Sequence, residues 1–294
     1  YKNPWAFLLA AGQLLLSLYF DIAVAPSMSV SEGLYFDNLT LVMVLIIGIV
    51  GCGICVYACG YMEDFQAQHS GEKDRRPLFF AIMFFFLSGM YLIVFSNNMS
   101  WMFTGWEITT VCSFLLISYT RTDEAIHNAF RQIIMNTAGG IAFLIATVYI
   151  ATEIHTLSFD SFLHTGMMYP AIVVVPLVCF SFAGITKAAQ MPFHTWLLGA
   201  MVAPTPTSAL LHSSTMVKAG VFMLIKMAPL YAVSPIPSLM LILIGGITFC
   251  LASFIAISQS NAKIVLAYST VANLGLIVAL AGVGTPEAVW AAIY

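Results

Sequence analysis

The chain has 294 residues and a formal net charge of −3, with only 8% of its residues charged, against ~25% in soluble domains. Hydrophobic residues make up 61% and the mean hydropathy is +0.95, which excludes a soluble globular class and leaves a chain built for a lipid bilayer. No nucleic-acid partner is expected. The sequence starts on Tyr1 rather than Met and stops at Tyr294 inside an apolar run, so a piece of a longer protein is expected, and 5–24 carries no small-residue cleavage site of a signal peptide.

Apolar runs at 5–24, 38–61, 77–95, 99–119 and 128–151 predict the first spanning helices. Within 38–61, Cys52, Cys55 and Cys59 lie beside Gly48 and Gly51 with no fourth thiolate near, so they read as packing residues and no metal site is expected. Further runs follow at 170–200, 206–228, 237–257 and 262–282, and another starts at 286. The prediction is an all-α polytopic membrane protein of about ten transmembrane helices, forming a single transmembrane domain over 1–294. The loops sort by charge. Lys2, Lys73, Arg75, Arg76, Arg121, Arg131 and Lys263 all fall on one side by helix count. The opposite loops carry Asp21, Glu32, Asp37, Glu153 and Asp160 and no Lys or Arg. The positive-inside rule then places the Tyr1 end in the cytoplasm, in a multi-pass protein of the cell membrane.

Ionisable residues inside these runs are the candidates for function, because a charge at the bilayer centre costs ~2.5–3.5 kcal/mol on insertion scales. Glu107 stands half-way along 99–119, where Thr109 and Thr110 read as ordinary helix contacts. Lys187 lies 17 residues into 170–200, a run of 31 residues where ~20 would span the membrane. Pro192 has no N–H, so the Ala188 carbonyl loses its helical donor and a broken helix is expected beside Lys187. His194 follows the break and is placed to satisfy freed backbone. His212 and Lys218 share 206–228 and, six residues apart, stand about 120° apart round a continuous helix. Lys226, near Pro229, reads as a snorkelling residue, and Lys263 as an anchor or a relay. No phosphate loop, dinucleotide fingerprint or Cys/His set is present, so no cofactor is expected in this chain.

Three stretches, FTGWEITTVCSFLLISY, GITKAAQMPFHTWLLGAMVAPTPTSALLHSSTMVKAGVF and NAKIVLAYSTVANLG, resemble the proton-translocating antiporter-like membrane subunits. That family includes the pumping subunits of respiratory complex I, Mrp-type cation/proton antiporters and membrane subunits of energy-converting nickel–iron hydrogenases. The resemblance covers roughly 36 to 294. It implies two inverted five-helix repeats with broken helices, the first about 77–229 and the second beginning about 237 and incomplete. It also implies proton transfer along a mid-membrane row: Glu107 paired with Lys187, then His212 and Lys218, then Lys263, with His194 beside them. In complex I the motif round Lys263 usually reads Asp-Ile-Lys-Arg; here it is Asn261-Ala262-Lys263-Ile264. GWEITTVCSFLLISY and PFHTWLLGAM look more like hydrogenase and Mrp members. The leading expectation is a proton- or sodium-translocating subunit of a redox-driven pump, an energy-converting hydrogenase. Its partners would be other membrane subunits and a peripheral redox arm carrying iron–sulfur clusters and a NiFe centre. The alternatives are an Mrp-type antiporter subunit or a complex I subunit.

Overall fold

The computed structural model describes residues 3–28, 33–68 and 74–293, so Tyr1, Lys2, Glu32, Lys73 and Tyr294 lie outside the described residues. Helix follows helix throughout. Among the described residues extended pairing is limited to two isolated bridges, Leu34 with Ser96 and Asn98 with Ser158. Eight helical spans are long and apolar enough to cross a membrane. Together with α4 below and the start of α14, they match the runs read from the sequence.

The first helix, α1 (Pro4–Tyr19), starts on Pro4 with Asn3 as its cap, and Asn3 Oδ1 accepts from the Trp5 and Ala6 backbone N–H groups. Its sole buried residue is polar, Gln13. Next come α2 (Asn38–Gln68), α3 (Arg76–Phe95) and α4 (Met99–Ile117). The fifth, α5 (Asp123–Glu153), opens on a Thr122 cap with Asp123 and Glu124 in its first turn, where the helix dipole favours negative charge. It has 31 residues, about 46 Å at 1.5 Å per residue, and is packed against by α1, α4 and α7.

A short helix α6 (Phe159–Met168) precedes α7 (Pro170–Lys187). The break after α7 falls where Pro192 predicts it. Ala189 takes φ +52°, its N–H donates to Thr186 O, and the Gln190 N–H reaches back to Ile185 O at 3.0 Å. These two bonds close the helix in a Schellman-type cap, with alanine at the left-handed position glycine usually fills. The chain then runs on to α8 (Thr195–Gly199).

The next span differs from the continuous helix expected over 206–228. It is built from α9 (Thr205–Ala209), a π-turn at Leu210–Ser214, a break at Thr215 (φ −133°, ψ −84°) and α10 (Met216–Lys226). The Thr215 hydroxyl donates to the Leu210 carbonyl across the break. Ser and Thr side chains offer the backbone such alternatives to the helical ladder. His212 and Lys218 therefore stand on separate helical pieces, and the 120° relation expected for them does not hold. After α11 (Ala228–Val233), the long pair α12 (Pro235–Ile257) and α13 (Ala262–Val283) pack side by side, and α14 (Pro286–Ile293) follows.

Candidate functional site

Lys187, the last residue of α7, is completely buried. Its Nζ donates to the Trp106 carbonyl at 2.9 Å and to Thr110 Oγ1 at 2.8 Å, both on α4, and stands 4.9 Å from the centre of the Trp106 ring. The end of a helix carries negative dipole, which suits a basic group there. Thr110 is thus more than the ordinary helix contact expected of it: its hydroxyl accepts from Lys187 and donates to Trp106 O at 3.0 Å. Gly220 of α10 lies against the Gly184 carbonyl and the Ala188 backbone, where an added methyl would collide, so α10 backs directly onto the end of α7.

Glu107 is the next residue after Trp106 on α4, yet it faces another way. A step of one residue turns a helix by 100°. Its carboxylate is hydrogen-bonded by Gln13 of α1, and Oε1 rests over Gly140 of α5, buried and without a partner of its own. Only a glycine leaves room there. Glu107 and Lys187 act on each other electrostatically, but the direct pair implied by the resemblance is not made: among the described residues the one ion pair within 4.0 Å is Arg76–Asp74. Gln13, Trp106 and Gly140 carried no expectation from the sequence. Gln13 has a readable signal, a lone amide in the middle of an apolar span, where an unbonded polar group would be costly.

A ladder of amides continues from Thr110 along the α4–α5 contact. Gln132 Nε2 donates to Ser113 Oγ at 3.2 Å and to Thr110 O at 3.4 Å, and Asn136 Nδ2 donates to Gln132 O at 3.0 Å. The oxygens Gln132 Oε1 and Asn136 Oδ1 are buried with acceptor capacity unused.

The remaining candidates are dispersed. The carbonyl freed by Pro192, that of Ala188, is taken by the Gln190 side chain at 2.9 Å and not by His194, while Trp196 Nε1 donates to Thr186 O at 3.0 Å. His194 is half-buried ahead of α8, its ring 6.2 Å from that of Tyr268. His212 sits in the π-turn with both ring nitrogens buried and unpartnered. Lys218 lines a small apolar cavity with Met43 and Ile46 of α2 and Ile293 of α14. It lies two residues, about 200°, round α10 from Gly220, and so faces away from Lys187. Lys263 is half-exposed in the first turn of α13, where its backbone N–H donates to Asn261 Oδ1 at 2.9 Å. The structure therefore joins Glu107 and Lys187 around α4 but does not place Lys218 and Lys263 in line with them. Lys226 is a correction of a different kind. It does not snorkel: it is 7% exposed, donates to Ser96 O at 3.4 Å and lies 4.7 Å from the Tyr35 ring and 5.2 Å from the Phe159 ring.

Comparison with known proteins follows the same lines. A family profile described as NADH:quinone oxidoreductase/Mrp antiporter, transmembrane, matches residues 96–294, and one described as NADH-ubiquinone oxidoreductase (complex I), chain 5 N-terminus, matches 22–71. Proteins named as antiporter subunit mnhA2 are 37% identical over 268 residues in Staphylococcus haemolyticus (90% of this chain, 33% of the relative) and 34% identical over 283 residues in Staphylococcus aureus (95% of this chain, 34% of the relative). The chain thus spans about a third of the length of the curated relatives it matches. Among solved structures, a chain of the Mrp complex from Dietzia sp. DQ12-45-1b superposes with a TM-score of 0.80 at 32% identity, covering 98% of this chain and 32% of that one. The membrane-bound sulfane sulfur reductase, an archaeal respiratory complex, shares the fold with a TM-score of 0.72 at 21% identity, covering 95% of this chain and 58% of that one. With two-thirds of its length matched by one profile, the chain belongs to the transmembrane family of NADH:quinone oxidoreductases and Mrp antiporters.

Proposed function

We propose that this chain is the ion-translocating part of an Mrp-type monovalent cation/proton antiporter subunit, working beside other membrane subunits. The observation that carries the reading is Lys187, fully buried at a helix break and bonded to α4 one residue from the buried carboxylate of Glu107. A buried acid and a buried base on opposite sides of one helix have linked charge states, since each favours the charged form of the other while burial disfavours both. A proton leaving Lys187 has Thr110 Oγ1 among its first neighbours, and Glu107 is the carboxylate whose charge acts on it. His212, Lys218, His194 and Lys263 are then later stations or structural residues.

The Mrp reading, an alternative in the sequence, is supported over the energy-converting hydrogenase that led there by the antiporter names of the relatives and by the Mrp complex structure. A peripheral redox arm with its clusters is not needed for it. The Lys/Arg-free loops on one face support a cytoplasmic start to α1. The test is cation-induced collapse of a pH gradient in inverted vesicles holding the complete complex. Addition of sodium or potassium should collapse the gradient, and Lys187→Ala should abolish the collapse in complexes that still assemble. A gradient indifferent to every monovalent cation, or a Lys187→Ala complex of normal activity, would falsify the proposal.

A further inference from the structure

The break after α7 leaves one more backbone group to place. In a continuous helix the Met191 N–H would bond the carbonyl of Lys187, four residues back. Here the chain turns away through Ala189, and the Met191 N–H donates to Thr248 Oγ1 of α12 at 3.1 Å, 57 residues along the chain. Thr248 and Gln190 are both completely buried. Hydroxyls inside membrane helices commonly return to the carbonyl four residues back, as those of Thr104, Thr147 and Thr270 do. That of Thr248 is turned to a neighbouring segment, where it accepts. The acceptor stands on a firm base. Three residues before it, Gly245 meets α13 backbone to backbone: a methyl added there would lie 2.6 Å from the Gly275 carbonyl oxygen. A methyl added at Gly275 would lie 2.8 Å from the Gly245 carbonyl oxygen and 2.8 Å from the Phe249 nitrogen. The same Gly275 leaves room for Gln190, whose Oε1 comes within 3.2 Å of that methyl position. Gln190 in turn holds the Ala188 carbonyl. The segment from Ala188 to Met191 is therefore seated where α12 and α13 touch.

We propose that Thr248 is a positioning residue for ion transfer at Lys187: by taking the Met191 N–H it stops α7 from winding on past Lys187, and so fixes the helix end from which the ammonium reaches Trp106 O and Thr110 Oγ1. The role rests on the antiporter reading and adds to it a residue of α12, which carries neither the buried acid nor the buried base. Lys187 is one residue before the seated segment and is the last residue of α7. Its bonds to α4, at 2.9 Å and 2.8 Å, leave little slack for a shift of that end. Without the Thr248 oxygen, the Met191 N–H is either stranded in an apolar interior or returns to the Lys187 carbonyl. A stranded N–H is costly, and a return rewinds the helix end; both move Lys187.

The experiment is Thr248→Val in the full-length chain within its assembled complex, beside Thr248→Ser and Thr248→Cys. Valine keeps the shape and loses the acceptor, serine keeps the acceptor, and cysteine offers only a weak one. Antiport per assembled complex in inverted vesicles should fall by about 100-fold in Thr248→Val, the scale of a misplacement of about 1 Å at a reacting group. Its pH profile should shift as well, and Thr248→Ser should restore both. Glu107 and Cys112 of α4, the titratable groups whose charges act on Lys187, are unchanged in these variants, so a shifted profile reports the placing of Lys187 itself. A Thr248→Val complex with a lowered thermal midpoint but the normal pH profile and normal antiport would make the bond merely structural and overturn the role. Where Thr248→Val does not assemble, Thr248→Cys is read by the same two outcomes. Cryo-electron microscopy of the variant supplies an arm that needs no transport. Lys187 Nζ displaced from Trp106 O and Thr110 Oγ1 supports the role, and Nζ in place overturns it. Absence of antiport in the unmodified complex would sink the antiporter reading alone, and the map would still decide whether Thr248 places Lys187.

Discussion

Trp106 and Thr110 explain how Lys187 is tolerated with no solvent contact. Two oxygens and the face of an indole take the place of water, and each is fixed by α4 itself. Thr110→Val keeps the shape and removes one of those oxygens. It should leave the complex assembled and shift the pH dependence of antiport, since Lys187 then keeps only the Trp106 carbonyl. An unchanged pH profile would show that Thr110 does no more than pack. Gly140→Ala tests the other side of α4. The added methyl would occupy the space of Glu107 Oε1, so either the carboxylate or α5 must shift, at a cost of about 1–3 kcal/mol for an overpacked site. The thermal midpoint of the purified complex should fall, and Gly139→Ala, one residue away and facing Thr186 of α7, should not disturb the Gln13–Glu107 contact in the same way.

Both breaks are built from backbone chemistry, and they differ in how legible they were. Pro192 announces the first, because a missing N–H has a fixed consequence three to four residues earlier. What it could not announce is that Gln190 would take the orphaned Ala188 carbonyl, since that depends on the chain reversing through Ala189. Ala189→Gly should be tolerated or mildly stabilising, because the left-handed conformation costs a residue with a Cβ about 1–2 kcal/mol that glycine avoids. A drop in the midpoint for this variant would contradict the cap. The break at Thr215 had no such signal: Ser and Thr are common in membrane helices, and only the structure shows the ladder giving way. Span positions, by contrast, were plain from hydropathy alone. The misreadings at Thr110 and Lys226 share a cause, because their partners come from segments 77 and 130 residues distant in the chain.

At the scale of the whole molecule, the two buried lysines among the described residues do different work. Lys226 gathers four segments at one face: its own helix end, the Ser96 carbonyl closing α3, Tyr35 ahead of α2, and Phe159 opening α6. Extended contacts tie the same segments together, Tyr35 N–H to Phe95 O at 2.8 Å and Phe159 N–H to Asn97 O at 2.8 Å. Asp37 and Asp160 add negative charge around it. Lys187 instead joins only α7 to α4, and its acceptors have other donors: Trp106 O also accepts from Thr109 and Thr110. Removing Lys187 therefore leaves the Trp106 carbonyl bonded, and removing it together with the charge of Glu107 takes out a buried couple of opposite charges, which is often neutral or stabilising. Removing Lys226 leaves the Ser96 carbonyl buried without its donor, which costs about 1–3 kcal/mol, and gives up its ring contacts as well. The expected outcome is a crossed pattern. Lys187→Met combined with Glu107→Gln should hold or raise the thermal midpoint of the complex and lose antiport, whereas Lys226→Met should lower the midpoint and keep antiport per assembled complex. Midpoint and vesicle antiport measured on the same preparations decide it. If Lys226→Met left the midpoint unchanged and stopped transport, Lys226 would join the ion path, and the face it holds would be a gate rather than a clamp.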